Sequence, residues 1–220
     1  MRKRNSRLRK EFNIDQNSQL PILFINMMQK ERYLYVDLVK ALAIFLMVFC
    51  HTGITSPINV WVYAFHMPVF FILSGLFINP NKYGIYEFVE KRIKQILVPY
   101  FLFALIYCFG HESLKDWAYI LYASRDSLVI AKSFSPLWFL PCLFVSNVLF
   151  FILARYISRL DVLGMVSLSI SCLGFILPKN LAGMGMPFSV NVALVSVIFV
   201  YSGYILNRIT LKWNALAWGG

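Results

Sequence analysis

Apolar residues in this chain come in long runs, and short polar segments rich in Lys and Arg separate them. Six runs have the length or the flanks of a membrane-crossing helix: Leu38 to Ser56, Val60 to Ile78, Ile96 to Phe109, Leu137 to Ala154, Val162 to Leu177 and Val190 to Leu206. A helix needs about 20 residues to cross some 30 Å of hydrocarbon. The third and fifth runs are therefore short, and their ends are the least defined. The pattern predicts an all-α fold, a polytopic transmembrane bundle of about six spans. The apolar piece from Leu20 to Met28 is too short to cross, and no small-residue cleavage site marks it as a signal peptide.

Composition supports a bilayer as solvent. Of the 220 residues 59% are hydrophobic and 14% charged, with a mean hydropathy of +0.65, against about 45–50% apolar in soluble domains. No soluble-sized polar block interrupts the runs, so one membrane domain, residues 33–220, is expected behind a basic arm, residues 1–32. The net charge of +11 collects in that arm, with six basic side chains between Met1 and Lys10, and beside the apolar runs. If the N-terminus is cytoplasmic, seventeen Lys and Arg fall on the inner side and four outside: Lys115, Arg125, Lys132 and Lys179. The positive-inside rule then predicts a multi-pass protein of the cell membrane with a cytoplasmic N-terminus. No zinc spacing or aromatic-basic surface accompanies the charge, so nucleic acid is not an expected partner.

Cys50, Cys108, Cys142 and Cys172 stand singly inside apolar stretches, which reads as packing rather than as a disulfide or metal framework. The segment His111 to Ser135, with Trp117, Tyr119 and Tyr122, is the one sizeable outer loop and is expected along the interface. After Lys212 the run from Trp213 to Trp218 looks like the start of another span, and the domain is expected to be incomplete at its C-terminus.

The candidate chemistry comes from polar residues inside the spans. The uninterrupted run Ala41 to Cys50 is ten residues, too few to cross, so the first span must carry polar groups into the membrane. Lys40 lies at its cytoplasmic end and His51 in its outer half. Eleven residues make about three turns, which places the two on one stripe roughly 16 Å apart. If the chain turns near Ser56 to Asn59, His66 returns to about the depth of His51, and two imidazoles can share one cavity. Histidine titrates near neutrality and can take a proton from a hydroxyl. Bland readings stand beside these. Lys40 with Asp37 can be an i,i+3 pair that anchors the helix, and His66, before Met67 and Pro68, can serve a kinked span. The stretch EFVEKRIKQ, Glu87 to Gln95, sets Lys91, Arg92 and Lys94 at the inner surface, either as a topology signal or as a phosphate site.

The run YVDLVKALAIFLMVFCHTG, Tyr35 to Gly53, resembles the opening of the acyltransferase-3 family, in which a basic residue and a histidine are separated by ten residues. Here these are Lys40 and His51, with Lys40 standing where the family more often has Arg. The likeness continues through FHMPVFFILSGLF, Phe65 to Phe77, KRIKQILVPY, Lys91 to Tyr100, and PLWFL, Pro136 to Leu140, and within the family is nearest to fucose 4-O-acetylase-like and exopolysaccharide acyltransferases. The resemblance implies an integral membrane enzyme that moves an acyl group, commonly acetyl, from acyl-CoA to a hydroxyl of a cell-envelope saccharide. It implies His51 as the base, Lys40 and the Arg92 cluster as holders of the donor's anionic part, and His66 and Ser74 as lining. Acyl-CoA enters as a substrate, with no bound cofactor or metal. Family members usually carry more spans than the six here. The rival readings are a transporter or flippase using the same His and Lys, and an inactive fragment of the enzyme.

Overall fold

Long apolar sequences poor in glycine and proline have one economical way to satisfy their backbone in hydrocarbon, which is to coil. The computed structural model describes residues 36–49, 57–108, 114–130, 135–177 and 185–217, and all the regular structure among them is helical. The chain divides into a unit that ends at Thr55 and a unit from Ser56 to Gly220. The first contributes one described helix, α1, residues 36–49.

The second unit runs through α2 (Pro57–Leu76), α3 (Ile85–Arg92), a wide π-helical turn (Ile93–Leu97), α4 (Val98–Cys108), α5 (Leu114–Tyr122) and α6 (Arg125–Ile130). A 3₁₀ turn (Ser135–Trp138) leads into α7 (Phe139–Tyr156), which is followed by α8 (Leu160–Ile176), a 3₁₀ turn (Pro187–Ser189) and α9 (Val190–Ala217). Two stretches, residues 136–156 and 187–209, are long and apolar enough to cross a membrane; Phe65–Leu76 and Leu160–Ile176 are apolar but shorter. Where the third run was expected to start a helix at Ile96, the chain is already helical from Ile85, since the amphipathic α3 feeds into α4 through the wide turn. The last helix runs past the expected Leu206 to Ala217, because no glycine or proline interrupts the sequence between Tyr204 and Trp218. The expected outer loop contains α5 and α6.

Helix α9 is the centre of this unit and packs against α2, α7 and α8. Its approach to α2 is set by two glycines facing each other's backbone. A Cβ on Gly203 would lie 1.8 Å from the Ile72 carbonyl oxygen, and one on Gly75 would lie 2.0 Å from that of Val200. The two helices therefore run antiparallel in backbone contact, the means by which helices associate where lipid removes any hydrophobic drive between them. Around the contact, Phe71, Phe150, Val197, Val200 and Tyr204 form the main core with Cys142 and Phe151. A second cluster of Tyr100, Ala104, Ile120, Ala123 and Leu128 joins α4 to α5 and α6.

Small polar residues share the interior with this apolar core, and large apolar residues face outward. Ser146, Asn147, Ser167, Ser171 and Ser196 are buried, while Phe101, Phe103, Ile106, Met165, Phe175 and Ile176 are exposed. Two of the buried hydroxyls bridge helices: Ser146 donates to the Ala193 carbonyl at 3.0 Å and Ser171 to that of Leu194 at 3.2 Å. An apolar exterior around small buried polar residues fits hydrocarbon surroundings.

Replacing Gly203 by Ala must push α2 and α9 apart, at a cost of about 2 kcal/mol or more by analogy with overpacked cores. Gly84 is the control, because a methyl group added there would meet nothing within 4 Å. Thermal unfolding in detergent is expected to show a clear loss for Gly203→Ala and none for Gly84→Ala.

Candidate functional site

The bundle has two chemically different ends. One gathers the α2–α3 connection, α3, the wide turn, the C-terminus of α7 and the start of α8; among the described residues it carries Lys82, Lys91, Arg92, Lys94, Arg155, Arg159 and Arg208. The other gathers α5, α6 and the turn before α9, with Lys115 and Arg125 on those helices.

At the basic end, the Arg155 guanidinium donates to the Pro80 carbonyl at 2.7 Å and so ties α7 to the turn that precedes α3. Phe88 of α3 stacks on Phe151 of α7, with centroids 3.9 Å apart. These two contacts fix the orientation of α3. The cations on it then take three different roles. Lys94 pairs with Glu90 one turn back on the exposed face, and that hydrogen bond raises its pKa. Lys91 donates to the Tyr83 hydroxyl at 2.9 Å and lies 4.5 Å from its ring centroid, while Lys82 lies 5.3 Å from the same ring. The two ammonium groups, Lys91 first, hold the Tyr83 phenol below its usual range, because they stabilise the phenolate.

Arg92 differs from both. Its guanidinium lies over the Phe88 ring at 5.0 Å, half-buried, and desolvation lowers its pKa. Among the described residues no carboxylate or hydrogen-bonding group meets it. A half-buried guanidinium, with five N–H donors in a planar fork, has the shape to meet a phosphate or a carboxylate.

The wide turn after Arg92 has a local cause. Pro99 lacks an N–H, and its ring would clash with the carbonyl four residues back if the α-helix continued unchanged. The chain answers with a π turn in which the Val98 N–H reaches the Ile93 carbonyl. Such single-turn bulges frequently mark functional positions.

In α2, His66 is buried at 4% exposure, and its Nδ1 lies 2.8 Å from the Val62 carbonyl oxygen. A carbonyl can only accept, so Nδ1 carries a hydrogen in this contact. Pro68 two residues on also removes a donor from the α2 ladder. Ser74 donates to the Phe71 carbonyl at 2.8 Å. It sits eight residues from His66, about 12 Å along the axis, so the two would meet different parts of a bound molecule.

Lys40 belongs to the first unit, where its ammonium lies 3.5 Å from Asp37 on the exposed surface of α1. His51 lies outside the described residues, and with it the expected pairing of the two imidazoles. Sequence reasoning missed Tyr83 and Lys82: the turn NPNKYG is visible in the sequence, but nothing in it indicates that Tyr83 meets a lysine eight residues later.

Replacing Lys91 by Met is expected to raise the Tyr83 pKa toward that of an ordinary tyrosine. The difference in ultraviolet absorbance titration between each protein and its Tyr83→Phe counterpart isolates this phenol. A Tyr83 titration unchanged by the loss of Lys91 would show that the pair does not form.

The family model described as the acyltransferase domain, acyltransferase-3, matches residues 33–220. No curated protein and no solved structure matches the chain.

Proposed function

Because the chain belongs to the acyltransferase-3 family, we propose that it is a multi-pass membrane enzyme that moves an acyl group, most simply acetyl, from acyl-CoA to a hydroxyl of an envelope saccharide. The observation that carries this reading is the half-buried Arg92 without a counterion among the described residues, one residue from the Lys91–Tyr83 pair. Acyl-CoA is large and bears several phosphates, and it is made in the cytoplasm. The basic end suits it in charge, and by the positive-inside rule that end is cytoplasmic, with the N-terminus on the same side and six helices crossing the bilayer. Lys91, Arg92 and Tyr83 hold the phosphates there. Lys94, engaged by Glu90, adds field rather than a contact. Lys40 neutralises the donor from the first span.

The reaction is then a direct substitution. An imidazole takes the proton of the acceptor hydroxyl, the oxygen attacks the thioester carbonyl, the carbon–sulfur bond breaks, and the CoA thiolate takes up a proton. We assign the base to His51. His66 supports the same proton transfer, and Ser74 lines the donor's path at the inner end of α2. General base catalysis contributes about 10²–10⁴-fold, which sets the loss to expect when the base is removed.

The test uses the purified chain in lipid nanodiscs with acetyl-CoA and with S-acetylpantetheine, which has the thioester and lacks the nucleotide phosphates. Arg92→Ala is expected to weaken use of acetyl-CoA about tenfold or more, the scale of a charged hydrogen bond, and to leave the pantetheine thioester unaffected. His51→Ala is expected to slow turnover of both by about 10²–10⁴-fold. Equal losses on the two donors in Arg92→Ala would overturn the phosphate role, and a His51→Ala loss of less than about tenfold on both donors would overturn the base. Substrate flux across sealed vesicles without consumption of acyl-CoA would replace the enzyme by a transporter.

A further inference from the structure

The end of the bundle opposite Arg92 holds a cavity that the preceding chemistry does not use. Its volume is about 390 Å³, and it lies between the N-terminus of α6, the end of α8 and the start of α9. Ligand pockets of small molecules begin near this size and combine apolar walls with a few placed polar groups. Here the walls are Phe175, Val192 and Val195, and the polar groups are Arg125, Asp126, Ser189 and Asn191.

The backbone around the cavity is held in an unusual shape. Ala123, Phe188 and Ser189 have φ of 52°, 53° and 49°, and Gly185 has 71°. Left-handed backbone costs about 1–2 kcal/mol for a residue with a Cβ, and here three such residues meet at one place. Cross-links keep them there: the Tyr122 hydroxyl donates to the Gly185 carbonyl at 2.8 Å, and the Arg125 N–H donates to Ser189 Oγ at 3.0 Å. Ser189 is 2% exposed, and its own hydroxyl hydrogen has no acceptor among the described residues. Gly185 is small for a reason as well, since a Cβ there would come within 2.8 Å of Asp126 Oδ2. The loop is thus built around the Asp126 carboxylate, yet among the described residues neither that carboxylate nor the Arg125 guanidinium has an ion-pair or hydrogen-bond partner.

We infer that this cavity binds a neutral pyranose unit of the acceptor, an inference that rests on the acyl-transfer reading for its biological sense. A pyranose presents hydroxyls that both donate and accept, together with an apolar C–H face. Asp126 accepts, Arg125 and Ser189 donate, and Asn191 does both. Phe175, exposed beside the cavity, offers a ring for the C–H face. Opposite charges next to each other disfavour a strongly anionic or cationic ligand. The site lies on the side remote from the donor phosphates, where an exported saccharide would be met.

The test is equilibrium binding of tritiated methyl pyranosides of gluco, galacto, manno and fuco configuration to the full chain in nanodiscs. Native mass spectrometry of the same samples identifies any resident molecule. Saturable binding of at least one glycoside is expected, weakened about tenfold or more by Asp126→Asn and by Asn191→Ala and unchanged by Arg159→Gln at the opposite end. No saturable binding up to about 10 mM, the weak limit of specific recognition, would overturn the inference. So would binding indifferent to both cavity substitutions, or a co-purified phospholipid released by them. Acyl-CoA consumption is followed in parallel. Consumption without glycoside binding removes the sugar site and keeps the enzyme; binding without consumption does the reverse.

Discussion

Two carbonyl oxygens, those of Ile72 and Val200, sit where a methyl group on Gly203 or Gly75 would have to be. The rest of the second unit follows from that contact. With the two backbones touching, Phe71 reaches the core shared with Phe150, Val197 and Tyr204, and α2 ends where the Pro80 carbonyl can meet Arg155. That hydrogen bond and the Phe88–Phe151 stack then present Arg92 and Lys91 at the basic end. Any larger residue at the crossing would tilt α2 and carry the whole connection with it.

The interior of the bundle shows how such packing is completed without a hydrophobic drive. Hydroxyls on α7 and α8 reach across to carbonyls of α9, and each such bond is worth little on its own in a membrane. Their effect is cumulative and positional, because a serine bridging two helices fixes register as well as distance. The outward phenylalanines and leucines suit a hydrocarbon surrounding.

The helical architecture was legible because apolar runs long enough to coil in hydrocarbon have few alternatives, and the runs that became α7 and α8, and the start of α9, lie close to where their hydropathy places them. The basic cluster was legible as charge but not as three roles. Glu90 one turn before Lys94 is a local signal, whereas Tyr83 under Lys91 and Arg92 over Phe88 depend on how a turn and a ring stack fold back. The motif SGLF was read for Ser74, and the structure shows that Gly75 beside it decides the packing. The cavity at Asp126 joins residues some sixty positions apart, so no local pattern could indicate it. Lys40 lies in a unit of its own, and His51 lies outside the described residues, so their expected alignment rests on the sequence.

The π turn before Pro99 has a bearing on how this segment can change. A turn that holds one residue more than an α-helical turn rotates everything after it by about 100° about the axis. Tyr100, which is fully enclosed and donates to the Ile120 carbonyl at 2.7 Å, faces α5 only because of that rotation. Shortening the chain by a single residue between Arg92 and Pro99 would take up the extra residue of the turn and swing the phenol away from α5. The irregularity thus acts as a phase key, and insertions or deletions that are harmless elsewhere in a surface helix would unlock α5 from the bundle here.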